Sequence, residues 1–136
     1  MNVTLALLAD SANVSQEGKL NLLGIFNVLY AHTFPAMHPQ LQLVLNFEAT
    51  NAEAGRQKTV DIEFRDADGH KMGSMTGKLV VPRAEAGHPV RINHILPISG
   101  LRFEKPGDYE FHIFINEDDK ATVSLRVIPT PLKQRD

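Results

Sequence analysis

A chain of 136 residues has room for one ordinary domain and not for two, because a half-length core would bury too little surface to hold itself together. Hydrophobic residues at 43% and charged residues at 22% place it in the globular range and exclude a disordered chain. The formal charge of −2, from 14 basic and 16 acidic side chains, supplies no cationic surface by composition, so neither nucleic acid nor a membrane is expected as a partner. Absence of Cys removes disulfides, thiolate metal sites and a cysteine nucleophile, and suits the cytoplasm. The start, Met1 to Asp10, is apolar only briefly and lacks the basic residues of a signal peptide.

In chain order, the first strand carries Leu5 and Leu7 on one face and Ala6 and Leu8 on the other. Ser11 to Lys19 is polar and contains Gly18, which predicts a loop or a single turn. Leu20 to Tyr30 reads as one strand apolar on both faces, Leu22, Phe26 and Val28 against Leu23, Ile25 and Leu29; Gly24 within it marks a bulge or a close backbone approach. A loop from Ala31 to Gln40 follows, with His32 and His38. Strict alternation then gives half-buried strands around Leu41–Phe47 and Val60–Phe64, joined later by an Asp66-Ala67-Asp68-Gly69 hairpin turn to the next strand. His94 falls in the apolar register of Val90, Ile92, Leu96 and Ile98, the position of a buried neutral imidazole. Pro106-Gly107-Asp108 sets a turn before the strand Tyr109–Ile115; Glu117 to Lys120 forms a hairpin tip, and Val123 to Val127 alternate again. Residues 1–128 are expected to form the domain and 129–136 a frayed tail.

Many short strands without helices between them predict an all-β, two-sheet antiparallel β-sandwich of about seven to eight strands, immunoglobulin-like in the corner that leads into Tyr109. The set Ala9-Asp10-Ser11-Ala12-Asn13-Val14, Glu17 to Phe26, Phe34-Pro35-Ala36-Met37-His38-Pro39 and the Pro106 to Phe111 segment resembles a family of short, uncharacterised bacterial proteins catalogued as a domain of unknown function. The resemblance runs over nearly the whole chain and implies one β-domain; it brings no functional residues with it.

Catalysis is not expected. No Ser sits in a G-x-S-x-G elbow, no phosphate-cradling glycine loop is present, and no cofactor is called for. Asp66 and Asp68 lack the further oxygen ligands that a calcium loop needs. His32, His38 and His70 are the candidate metal ligands, since strand counting brings their loops to one end of the sandwich. The expected function is a noncatalytic protein-interaction or assembly module that meets a protein partner or forms a homodimer. Leu23, Ile25, Leu29, Val44 and Phe114 are the expected apolar interface, provided that their strands share a sheet. The alternative is a small-ligand or metal-binding domain using the histidine-bearing end.

Overall fold

The computed structural model describes residues 1–130. Nine strands form two sheets: β1 (Asn2–Val14), β2 (Leu20–Phe26), β3 (Val28–Ala31), β4 (Ala36–Ala49), β5 (Gln57–Arg65), β6 (Lys71–Val80), β7 (Val90–Phe103), β8 (Gly107–Ile115) and β9 (Asp118–Pro129), with a 3₁₀ turn at Asn51–Glu53. One sheet has the order β2-β1-β4-β7 and the other β3-β9-β8-β5-β6. The alternating residues form the strands they predicted, because each places its apolar set toward one cluster. Leu41, Leu43, Leu45 and Phe47 of the four-stranded sheet meet Val60, Ile62, Phe64, Phe111 and Ile113 of the five-stranded one.

Two expectations change. The single apolar strand Leu20–Tyr30 is two strands: β2 ends the four-stranded sheet, the chain steps across at Asn27, and β3 edges the other sheet. Having crossed without reversing, β3 lies parallel to β9, Val28 opposite Arg126 and Ala31 opposite Pro129, so pairing is not antiparallel throughout. The crossing also raises the count to nine strands. The loop expected over 31–40 shrinks because β4 already starts at Ala36 and pairs Ala36 with Phe103. Likewise β1 runs on through Val14, leaving only Ser15–Lys19 as the turn. The tip of the last hairpin is Asn116-Glu117, both at positive φ (48° and 73°), as a two-residue turn matched to strand twist requires. Asp118 and Asp119, expected in that tip, belong to the β9 ladder. Strand β9 includes Pro129, and the Thr130 amide donates to the Ala31 carbonyl at 2.9 Å; the rest of the expected tail lies outside the described residues.

At one end, Glu53 gathers three donors: the Met1 ammonium at 2.8 Å, the Lys58 ammonium at 3.1 Å and the Thr50 amide at 2.9 Å. Lys58 is buried because it continues the inward register of Val60, Ile62 and Phe64, and its head group finds its partner in Glu53.

Gly24 confirms the expected close approach. It has φ +70°, and a Cβ built there would overlap the Asp10 carboxyl. Gly24→Ala is expected to lower stability by about 1–3 kcal/mol, the scale of left-handed strain in a non-glycine residue, as read by urea unfolding. Adding Asp10→Ala should recover only the steric share, and a single-variant loss below about 0.5 kcal/mol would show that the backbone relaxes there instead.

Candidate functional site

Cross-strand partners share a face, so the register fixes which residues stand together. On the outer face of the four-stranded sheet, Leu7, Val44 and Ile95 form one row and Ile25, Ala9, Gln42 and Pro97 the next. Val44 is nevertheless 0% exposed, as is Ala9. The cover comes from the chain itself. Asn93 of β7 donates to the carbonyl of Gly18, at the tip of the β1–β2 hairpin, at 3.4 Å, although β7 stands two strands from β1 in the sheet. The hairpin therefore bends out of the sheet near Asp10 and Gly24 and lies back over the outer face. The expected interface is corrected accordingly: Val44 is a covered residue, because its own hairpin takes the place that a partner was expected to fill.

Two other members leave the set for a different reason. Leu29, carried to the second sheet by the crossing at Asn27, packs against the central core. Phe114 lies on the outer face of the five-stranded sheet, opposite Asp61, with the Arg65 guanidinium 5.9 Å from its ring centroid. That face is polar: Arg65 bonds Glu63 at 2.6 Å, Thr76 bonds Asp61 at 2.6 Å and Arg126 bonds Asp108 at 3.0 Å. Phe114 and Val44 thus belong to different sheets. What remains of the expected patch is Leu23, 72% exposed, and Ile25, 61% exposed, two residues apart on β2. β2 is an edge strand, so unpaired backbone groups run beside these two side chains.

The three candidate histidines do not converge. His32 Nδ1 lies 2.9 Å from the Thr130 carbonyl; His38 sits within β4, opposite Leu101, with its ring 6.0 Å from that of Phe26. His70 stands in the β5–β6 turn. Among the described residues, the group of three His, Asp or Glu side chains whose ligating atoms come within 4.8 Å of one another is Asp66, Asp68 and His70. Its carboxylates are already engaged. Asp66 Oδ1 accepts the amides of His70 at 2.9 Å and Asp68 at 3.0 Å, which holds its carboxyl below the usual range, and Asp68 faces the Lys105 ammonium at 3.5 Å. These contacts are those of an Asx turn closing a hairpin.

His94 is half-buried against Phe47, and desolvation lowers its pKa. His112 was not singled out from the sequence. Its ring lies between Glu110, 3.3 Å from Nε2, and Asp119, 3.3 Å from Nδ1, with the Thr122 hydroxyl 3.5 Å from Nδ1. The period-two spacing Glu110-x-His112 was the available signal; Asp119 and Thr122 join only through the hairpin register. Opposite ring nitrogens cannot direct both carboxylates to one cation.

The chain is similar to the structure of Pseudomonas fluorescens alkylpurine DNA glycosylase AlkC bound to DNA containing an abasic site analog, at 16% identity and TM-score 0.48 over 75% of this chain. It spans 27% of the length of that chain. That structure holds DNA, and the expectation that nucleic acid is no partner, which rested on composition, is not carried forward. The physical reason is that a net charge sums over the whole surface, while phosphate contacts need only a local group of Lys and Arg. At this score the likeness assigns no ligand to the chain. No curated protein matches it. Residues 4–128 match the Family of unknown function (DUF6941), in keeping with the resemblance read from the sequence, and the chain belongs to that family.

Proposed function

We propose that this chain is a noncatalytic assembly module that pairs with a second copy through the β2 edge. The observation that carries the reading is the exposure of Leu23 and Ile25, 72% and 61%, on either side of Gly24 in an edge strand. Antiparallel pairing of two β2 edges would satisfy their open backbone groups and bury both side chains of each copy. The frame is an immunoglobulin-like sandwich. Supporting it are the parallel β3–β9 pairing and the Tyr109 hydroxyl, which donates to the Lys105 carbonyl at 2.6 Å in the manner of a tyrosine corner.

A two-fold interface loses each residue twice. Ile25→Asp is expected to remove about 3–6 kcal/mol of association, from about 1.5–3 kcal/mol per buried aliphatic side chain. That weakens the dimer by roughly 10²- to 10⁴-fold. Light scattering across a dilution series should show a dimer for the native chain and a monomer for Ile25→Asp. Phe114→Asp, on the other sheet, should leave the dimer intact. A native chain that stays monomeric at about 100 μM, weaker than any stable interface of standard size, overturns the reading.

A further inference from the structure

We propose that the gap between the edge strands β6 and β7 is a binding site for a long-chain aliphatic carboxylate. This inference is independent of the β2 edge. β2 and β3 close one side of the molecule, because the chain itself steps from sheet to sheet there. On the opposite side, β6 and β7 end their sheets without pairing, and between them lies a cleft of about 450 Å³. Its floor is core: Ile62, Phe64 and Phe111, with Ile98 and Leu101 on the β7 wall. A narrower continuation of about 90 Å³ shares Ile62 and Met75 with it and runs on to Leu96 and His94. From Leu101 to His94 is seven residues of strand, about 23 Å at roughly 3.3 Å per residue, so the space is long and thin.

The hollow comes from two glycines. Gly73 pairs with Phe64 and Gly77 with Val60, both core residues, so these glycines occupy inward positions of β6, on either side of Met75. Neither is among the positive-φ glycines, and a Cβ on either would meet nothing within 4 Å. Gly73 adjoins a bulge where the register shifts between Phe64 and Arg65, but at Gly77 neither backbone conformation nor close packing gives a reason for glycine, which weakens a strand where a β-branched residue would strengthen it. Their effect is to keep open a space that inward side chains would fill. A volume of about 450 Å³ lined mostly by apolar side chains falls within the range of small-ligand pockets.

The mouth selects the head group. Arg102 and Glu104 both line it; among the described residues Arg102 donates through Nε to Glu104 Oε1 at 2.8 Å, and its terminal N–H groups make no hydrogen bond. A planar fork fits a carboxylate with two parallel hydrogen bonds. The aliphatic chain would then lie along Ile98 and Met75 toward Leu96, past Gly73 and Gly77.

Calorimetric titration with sodium hexadecanoate below its micelle concentration tests the site, with hexadecan-1-ol as the uncharged probe. The native chain is expected to take up one hexadecanoate. Gly73→Leu should weaken binding roughly tenfold or more while raising the ligand-free Tm by about 3 °C, because it fills the hollow. That opposite pair of signs is what a merely damaged fold would not give. Arg102→Gln, an exposed change that leaves the core alone, should weaken hexadecanoate roughly tenfold and hexadecan-1-ol not at all. Ile25→Asp should leave binding unchanged, which separates this site from the β2 edge. Absence of saturable hexadecanoate binding, or binding equal in the native chain and Gly73→Leu, overturns the proposal.

Discussion

Phe64→Ala is expected to lower the stability of the chain by about 3–5 kcal/mol, the range for truncating a core phenylalanine. The ring is 6% exposed and sits where the two sheets meet. Its centroid lies 4.6 Å from that of Phe111 and 5.6 Å from that of Tyr109 in its own sheet, and 6.0 Å from that of Phe103, which comes from β7 in the other. Removing it strips contacts from three aromatic neighbours at once and leaves a void between the sheets. Because Phe64 also floors the β6–β7 cleft, water can enter that void, which should keep the loss toward the lower part of the range. With total stabilities of about 5–15 kcal/mol for domains of this kind, such a loss removes a large share of the fold. Urea unfolding measures it; a loss under about 1 kcal/mol would show that these rings do not bridge the sheets.

Acid should destabilise the chain through Glu53, and Glu53→Gln should remove that response. The hydrogen bond from the Met1 ammonium, then the Thr50 amide and the Lys58 ammonium, hold the Glu53 carboxyl down at about 2, against an ordinary value of 4.5. A folded-state pKa below the unfolded one means that the stabilisation is complete above 4.5 and is lost as pH falls from there toward about 2. Asp66, also lowered, chiefly by the His70 amide, contributes with the same sign. His94 acts earlier: its lowered pKa means that the unfolded chain takes up the proton first, so stability begins to fall below about 6.5. Glu53→Gln should cost about 1.5–3 kcal/mol at neutral pH, the range for hydrogen bonds to a charged group, because it leaves the buried Lys58 ammonium without its counter-charge. Between pH 4.5 and 2 its stability should then fall less than that of the native chain. Parallel curves for the two proteins over that window would show that Glu53 is not the titrating group.

Strand identity was legible wherever one face is core and the other is not. The alternations around Leu41–Phe47, Val60–Phe64, Tyr109–Ile115 and Val123–Val127 each needed only local pleating to be read, and the Asp66 turn only the side-chain chemistry of Asp and Gly. Lys58 could have been found in the same way, since it continues the inward register of Val60. Family membership was carried by motifs spread along the chain. The candidate site was far less legible. Leu23 and Ile25 are exposed on β2, whereas Val44, Leu29 and Phe114 join them only if one sheet is assumed to hold all five.

Which strands share a sheet depends on long-range pairing, and a residue pattern of period two is the same in either sheet. The step at Asn27, the parallel β3–β9 pair and the return of the β1–β2 hairpin over Val44 are all decisions of that kind. So is the cleft, because Gly73 and Gly77 become a hollow only once β6 is an edge strand with nothing across from it. By itself the sequence determined an all-β chain, its turns and the apolar excess of its first strands, since those follow from side-chain size, polarity and backbone freedom along the chain. The tertiary structure alone decided where that excess is covered and where it stays open, because coverage is a relation between residues far apart in sequence.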